Sequence, residues 1–115
     1  MSEFIFDSKG NGLGFIESNF IHSLSGQPIG QVRGTHIYKI SGEYIGEFNK
    51  GMVVDMNLGT LESIGYSIDP GYPVYRGIPK NRGEVKIEFT EVFYLLTERI
   101  NYIDQSLNNF GYLVI

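Results

Sequence analysis

Apolar residues in the first half of this chain recur with a period of sixteen. Written in rows of that length, residues 4–67 read FIFDSKGNGLGFIESN, FIHSLSGQPIGQVRGT, HIYKISGEYIGEFNKG and MVVDMNLGTLESIGYS, with no gap. The second position holds Ile5, Ile21, Ile37 and Val53; the tenth holds Leu13, Ile29, Ile45 and Leu61; the thirteenth holds Ile16, Val32, Phe48 and Ile64. Rows two and three share five identities. A period this regular sets the fold before any local propensity does.

Each row reads as strand, turn, strand, turn. The first strand is short and rich in aromatic and β-branched residues, as in FIFD, FIHS and HIYK. A polar turn follows, with Gly10, Gly26 and Gly42 at its seventh position, where a tight hairpin needs positive φ. The second strand carries apolar-Gly-x-apolar, through Gly14, Gly30 and Gly46. A spacing of three puts the two apolar residues on opposite faces of a regular pleat. Either a β-bulge restores a common face, or the glycine admits a close backbone approach; the bulge is the favoured reading. One such unit cannot bury its apolar face alone. Four units around a pseudo-four-fold axis leave fewer exposed edges than a short linear solenoid, so closure is expected.

After the repeats the pattern breaks. Residues 68–83 form a loop rich in Pro, Gly and Tyr, and 84–90 alternate strictly, with Val85, Ile87 and Phe89 on one face of a strand. From Thr90 to Leu107 the apolar spacing turns helical, against a competing strand reading of VFYLL, and FGYLVI reads as a final strand. The expected architecture is mainly β, α+β overall: four 16-residue hairpin units followed by a C-terminal strand–helix–strand segment, in a single domain over 1–115.

The recurring GxxIG of SGQPIGQV and SGEYIGEF resembles the small bacterial group described as four-fold β-flower domains, over residues 4–67. The fourth row departs from it, with Leu58 and Glu62 where glycines stand in the other rows. The resemblance implies a fold and no established activity, so it carries no functional residues across.

Composition narrows the function classes. Net charge is −4, and the Lys and Arg residues are scattered, so the clustered basic footprint of a nucleic-acid or anionic-lipid binder is missing. With no cysteine there is no disulfide, thiolate nucleophile or all-cysteine metal site. The start, MSEFIFDSKGNG, lacks the basic and apolar regions of a signal peptide, and no apolar run suits a membrane span. A soluble cytoplasmic protein without membrane partner, metal or cofactor is expected.

Candidate chemistry is sparse. His22 and His36 stand in otherwise apolar columns and read first as partly buried substitutes for aromatics; no HxxxH or HExxH spacing supports a metal. The fourth position of each row holds Asp7, Ser23, Lys39 and Asp55, which a closed arrangement would place in a polar ring at one end of the axis. The reading as a solvated strand end competes with it. In the loop, Arg76 with Tyr72 and Tyr75 could take an anion or a flat ligand, or the tyrosines could pin the loop to the core. The leading expectation is a non-enzymatic binding or protein-interaction module, homo-oligomeric or with another protein, because the sixteen Tyr and Phe residues exceed what so small a core hides. The alternative is a small hydrolase or isomerase using a histidine and a carboxylate near the repeat axis.

Overall fold

The computed structural model describes residues 3–67 and 75–97. Three hairpins follow one another: β1 (Glu3–Phe6) with β2 (Gly12–Glu17), β3 (Phe20–Ser23) with β4 (Pro28–Arg33), and β5 (His36–Lys39) with β6 (Tyr44–Asn49). β7 (Met52–Asp55), β8 (Thr90–Glu91) and a single-turn 3₁₀ helix (Phe93–Leu96) complete the described elements. The strands form one antiparallel sheet in the order β1 to β8, curled into a half-barrel.

The bulge is present in every hairpin. Ile5 pairs Gly14 while Phe6 pairs Gly12, so Leu13 is the extra residue; Ile29 and Ile45 are extra in the same way. The shift brings the tenth and thirteenth positions toward one core. Ile5, Ile21, Ile37 and Val53 are buried in a single cluster with Val32 and Ile45, and Ile16, Ile29 and Phe48 pack against it. The close-approach reading holds as well. A methyl group on Gly14, Gly30 or Gly46 would lie 2.3, 2.9 or 2.5 Å from the carbonyl oxygen of His22, Tyr38 or Val54 respectively. The same three glycines seat the C-terminal segment. Phe93 lies over Gly14, Leu96 over Gly30 and Val92 over Gly46.

The connections follow from local chemistry. Within each hairpin, the fourth-position residue opens the turn: Asp7 N donates to Asn11 O, Ser23 N to Gln27 O and Lys39 N to Glu43 O, at 2.8–2.9 Å. Gly10, Gly26 and Gly42 then take φ of 91–100°. Between hairpins, Ser18–Asn19 and Lys50–Gly51 are two-residue links with positive φ at both positions, the twist that suits an antiparallel pair.

The fourth unit is assembled from two distant pieces of chain. Its first strand is β7, but residues 60–67 leave the sheet and cross the β5–β6 turn, with Ile64 N donating to Gly42 O (2.9 Å) and Ser67 N to Ile40 O (3.0 Å). Gln31 Nε2 also reaches Gly65 O there, at 3.2 Å. The partner of β7 is instead β8, with Val54 opposite Glu91 and Asp55 opposite Thr90. Phe89-Thr90-Glu91-Val92 repeats the apolar-x-x-apolar spacing, and Val92 enters the core beside Val32. Ile64, expected in that column, is only half-buried and outside the core cluster.

The register of β8 differs from that of the intact units by two residues. Phe48 N bonds Thr35 O, whereas Val92 N bonds Val53 O (2.9 Å). That offset leaves Gly51 O for Phe6 N (2.8 Å), which draws β1 against the last unit. Residues 81–91 fasten the junction. Arg82 N donates to Gly10 O, Val85 N to Ser8 O, and Ser8 N and Oγ to the Glu91 carboxylate (2.9 and 2.7 Å). The Arg82 guanidinium lies 4.6 Å from the centre of the Phe6 ring and donates to Lys50 O.

The alternation expected over 84–90 is visible as burial, Val85, Ile87 and Phe89 being less exposed than their neighbours, while β8 pairs only at Thr90–Glu91. The helical spacing from Thr90 is realised as the 3₁₀ turn at Phe93–Leu96; residues 98–115, with the rest of that helix and the final strand, lie outside the described residues.

Candidate functional site

The sheet face opposite the core cluster carries the polar chemistry. Phe15, Gln31 and Glu47 occupy the same repeat position and are all buried. In the third unit this position builds a network of side chains. Glu47 is 3% exposed; its Oε1 accepts from Thr35 Oγ1 (2.8 Å), and its Oε2 accepts from the Tyr44 hydroxyl (2.7 Å) and lies 2.7 Å from His36 Nδ1. Burial pushes the Glu47 carboxyl up, but the hydrogen bonds from His36, Tyr44 and Thr35 outweigh it and hold the group below its ordinary value. Glu47 is therefore ionised at neutral pH. Burial, together with the Glu47 hydrogen bond and charge, pushes the Tyr44 hydroxyl well above the usual phenol range, so it stays a donor.

The network belongs to one unit because the repeat diverges around it. The equivalents of His36, Tyr44 and Glu47 are Phe20, Pro28 and Gln31 in the second unit and Phe4, Gly12 and Phe15 in the first. The signal that could have located it is a buried carboxylate standing where another row has Phe. His36 keeps 42% of its side chain exposed, while its Nδ1 faces the carboxylate. Tyr44 packs edge-on against Tyr38 and His36, with ring centres 5.7 and 6.2 Å apart. It also lines a cleft of about 420 Å³ with Ile45, Asp55, Asn57, Gly59 and Thr60, at the point where the chain departs from the fourth unit.

The fourth-position residues serve their own turns. Asp7 Oδ1 accepts from Lys9 N and Asn11 N, Ser23 Oγ bonds Ser25 Oγ and accepts from Gln27 N, and Lys39 lies 3.6 Å from Glu43. Asp55 Oδ1 accepts from Asn57 N (2.8 Å). No hydrogen bond or ion pair joins Asp7, Ser23, Lys39 and Asp55 to one another among the described residues, and of the four only Asp55 lines the Tyr44 cleft. Arg76 is paired through Nε (2.7 Å) and its terminal nitrogen with Glu17, and Tyr75 is largely exposed. Tyr72 lies outside the described residues.

His22 is core. It is 5% exposed, stacks on Phe15 at 4.9 Å between ring centres, and its Nδ1 has no hydrogen-bond partner among the described residues. Burial lowers its pKa below 6.5, so the folded state holds it neutral. The unfolded chain binds a proton near pH 6.5 and the folded chain only at lower pH. Stability is thus full above about 6.5 and falls as pH drops toward the folded value. His22→Phe, which restores the aromatic of Phe6 and Tyr38, is expected to flatten the loss of melting temperature between neutral pH and pH ~5.5. An unchanged slope in thermal melts across that window would place the acid sensitivity elsewhere.

Among the described residues no cluster of three metal-ligating side chains occurs, and no helix is long and apolar enough to cross a membrane.

A meander of bulged hairpin units with pseudo-four-fold repetition, its last unit completed by a strand from later in the chain, defines the class of this molecule. The chain belongs to the 4-fold beta flower protein family, whose pattern matches residues 3–83. No match was found among curated proteins or among solved structures.

Proposed function

We propose that this protein is a non-enzymatic interaction module: a stiff β scaffold that presents a contact surface for a protein partner, a second copy of the chain being the first candidate. The observation that supports it most is where the exposed apolar area lies. Leu58, Tyr66, Tyr75, Ile78 and Tyr94 are 55–74% exposed, and all follow the third hairpin. Among the described residues the three hairpins leave no large apolar side chain exposed, whereas the later segment buries Val92 and Leu96 and leaves these five outside. Such side chains concentrate at protein contacts. Light scattering over a concentration series tests this reading. The wild type is expected to gain mass with concentration, and Tyr75→Ser with Ile78→Ser to stay monomeric at an unchanged melting temperature. A wild type that remains monomeric at millimolar concentration removes the self-associating form.

A second reading, a small hydrolase or isomerase, is favoured by one observation: His36 Nδ1 lies 2.7 Å from the buried Glu47 carboxylate while the imidazole stays half-exposed. A carboxylate at Nδ1 fixes the orientation of the ring, as in a histidine–carboxylate catalytic pair. Under this reading, p-nitrophenyl acetate hydrolysis exceeds that of free histidine and falls to background in His36→Gln. Equal rates in the two proteins would set it aside.

A further inference from the structure

The fourth unit, left open by the departing chain, contains the cleft beside Tyr44. In the three intact hairpins the fourth-position N–H closes the turn onto the eighth-position carbonyl; the equivalent bond, from Asp55 N to Gly59 O, is not made. Asn57 (φ 59°) and Gly59 (φ 82°) carry the chain away instead, and the space beside Tyr44 stays open.

We propose that this cleft binds a small organic cation, a guanidinium or alkylammonium group, between Tyr44 and the Asp55 carboxylate. Two features of the lining favour positive charge. An aromatic ring attracts a cation through its quadrupole, and a carboxylate attracts it by charge. Among the described residues Asp55 has one side-chain hydrogen-bond partner, the Asn57 amide on Oδ1, and no cationic side chain lines the cleft. Asp55 is close enough for its charge to help raise the Tyr44 hydroxyl's pKa, so ring and carboxylate share one field. Asn57 and Thr60 add polar groups to the lining.

The Glu47 network gives this site its order. Tyr44 is fixed through its hydroxyl to a buried carboxylate that Thr35 and His36 also hold. Little side-chain freedom is then left to lose when a ligand arrives. Glu47, His36 and Thr35 are positioning residues here, and Tyr44 and Asp55 make the contact. The site does not depend on self-association.

Amide chemical-shift titration with methylguanidinium chloride tests the site, with the near-isosteric neutral methylurea as control. Residues 44–45 and 55–60 are expected to shift saturably with methylguanidinium and not with methylurea. Asp55→Asn is expected to weaken binding at least about fivefold. Tyr44→Leu should do the same, while Tyr44→Phe, which keeps the ring and loses only the hydroxyl bond to Glu47, should bind more tightly than Tyr44→Leu and more weakly than wild type. Agmatine against N-acetylarginine amide then separates a free metabolite from an arginine side chain of a peptide; tighter binding of either names the source. Equal responses to methylguanidinium and methylurea, no saturation, or an Asp55→Asn variant that binds as well as wild type would each overturn the proposal.

Discussion

Val92→Asp is expected to cost more than about 4 kcal/mol, enough to unfold a marginally stable domain, whereas Ile64→Asp is expected to cost about 1 kcal/mol or less. Both residues follow the spacing of the thirteenth repeat position, but only Val92 occupies it in space. Val92 is 6% exposed, lies in the cluster with Ile5, Ile37 and Val53, and packs against Gly46. An aspartate there is an unpaired charge in an apolar core, among the most costly of single changes. Ile64 sits half-buried over the β5–β6 turn, where a charged side chain can reach water. Urea denaturation of the two variants measures the contrast. Equal losses would mean that residues 61–64 complete the fourth unit after all.

Gly46→Ala is expected to cost about 3 kcal/mol. The new carbon would lie 2.5 Å from Val54 O and 2.9 Å from Val92 Cγ2, and the first contact is with backbone that cannot swing aside. The strand would have to separate from β7 or the C-terminal segment lift away. Gly65→Ala serves as the control, because a methyl group there meets nothing within 4 Å. Thermal melts should show a large drop for Gly46→Ala and almost none for Gly65→Ala.

Much of this architecture was legible in the sequence because the repeat is written in backbone requirements. The bulge follows from Leu13-Gly14-Phe15-Ile16 and its copies, whose spacing admits few solutions on a pleated strand. The turn glycines follow from positive φ. The second half of the fourth unit was hidden for a physical reason as well. Thr90 stands where the other units have glycine, and the strict alternation of Val85, Ile87 and Phe89 points to an independent strand, not to a piece of the repeat. A pairing that spans so long a stretch of chain leaves no local pattern.

The Glu47 network was equally silent. Thr35, His36, Tyr44 and Glu47 are spread over two strands and a turn, and only the β5–β6 register brings them together. The polar ring expected of Asp7, Ser23, Lys39 and Asp55 came from a real column, but a residue that opens a turn spends its hydrogen bonds on that turn. The open fourth unit, where Leu58 and Glu62 replace the glycines of the other rows, is also where the cleft lies.

The central claim, that β8 completes the fourth unit in place of residues 61–64, can be tested with introduced cysteines, since the chain has none of its own. Asp55 and Thr90 face each other across the β7–β8 ladder, and both are exposed, so Asp55→Cys with Thr90→Cys disturbs little. Opposed residues of an antiparallel pair lie about 4.5–5.5 Å apart at Cα, within disulfide reach. Mild oxidation should give one intramolecular disulfide, seen by intact mass and by loss of thiol labelling. Met52→Cys with Ser63→Cys, the pair that a contiguous fourth repeat would place opposite each other, should remain reduced. Cross-linking of the second pair and not the first would contradict the account.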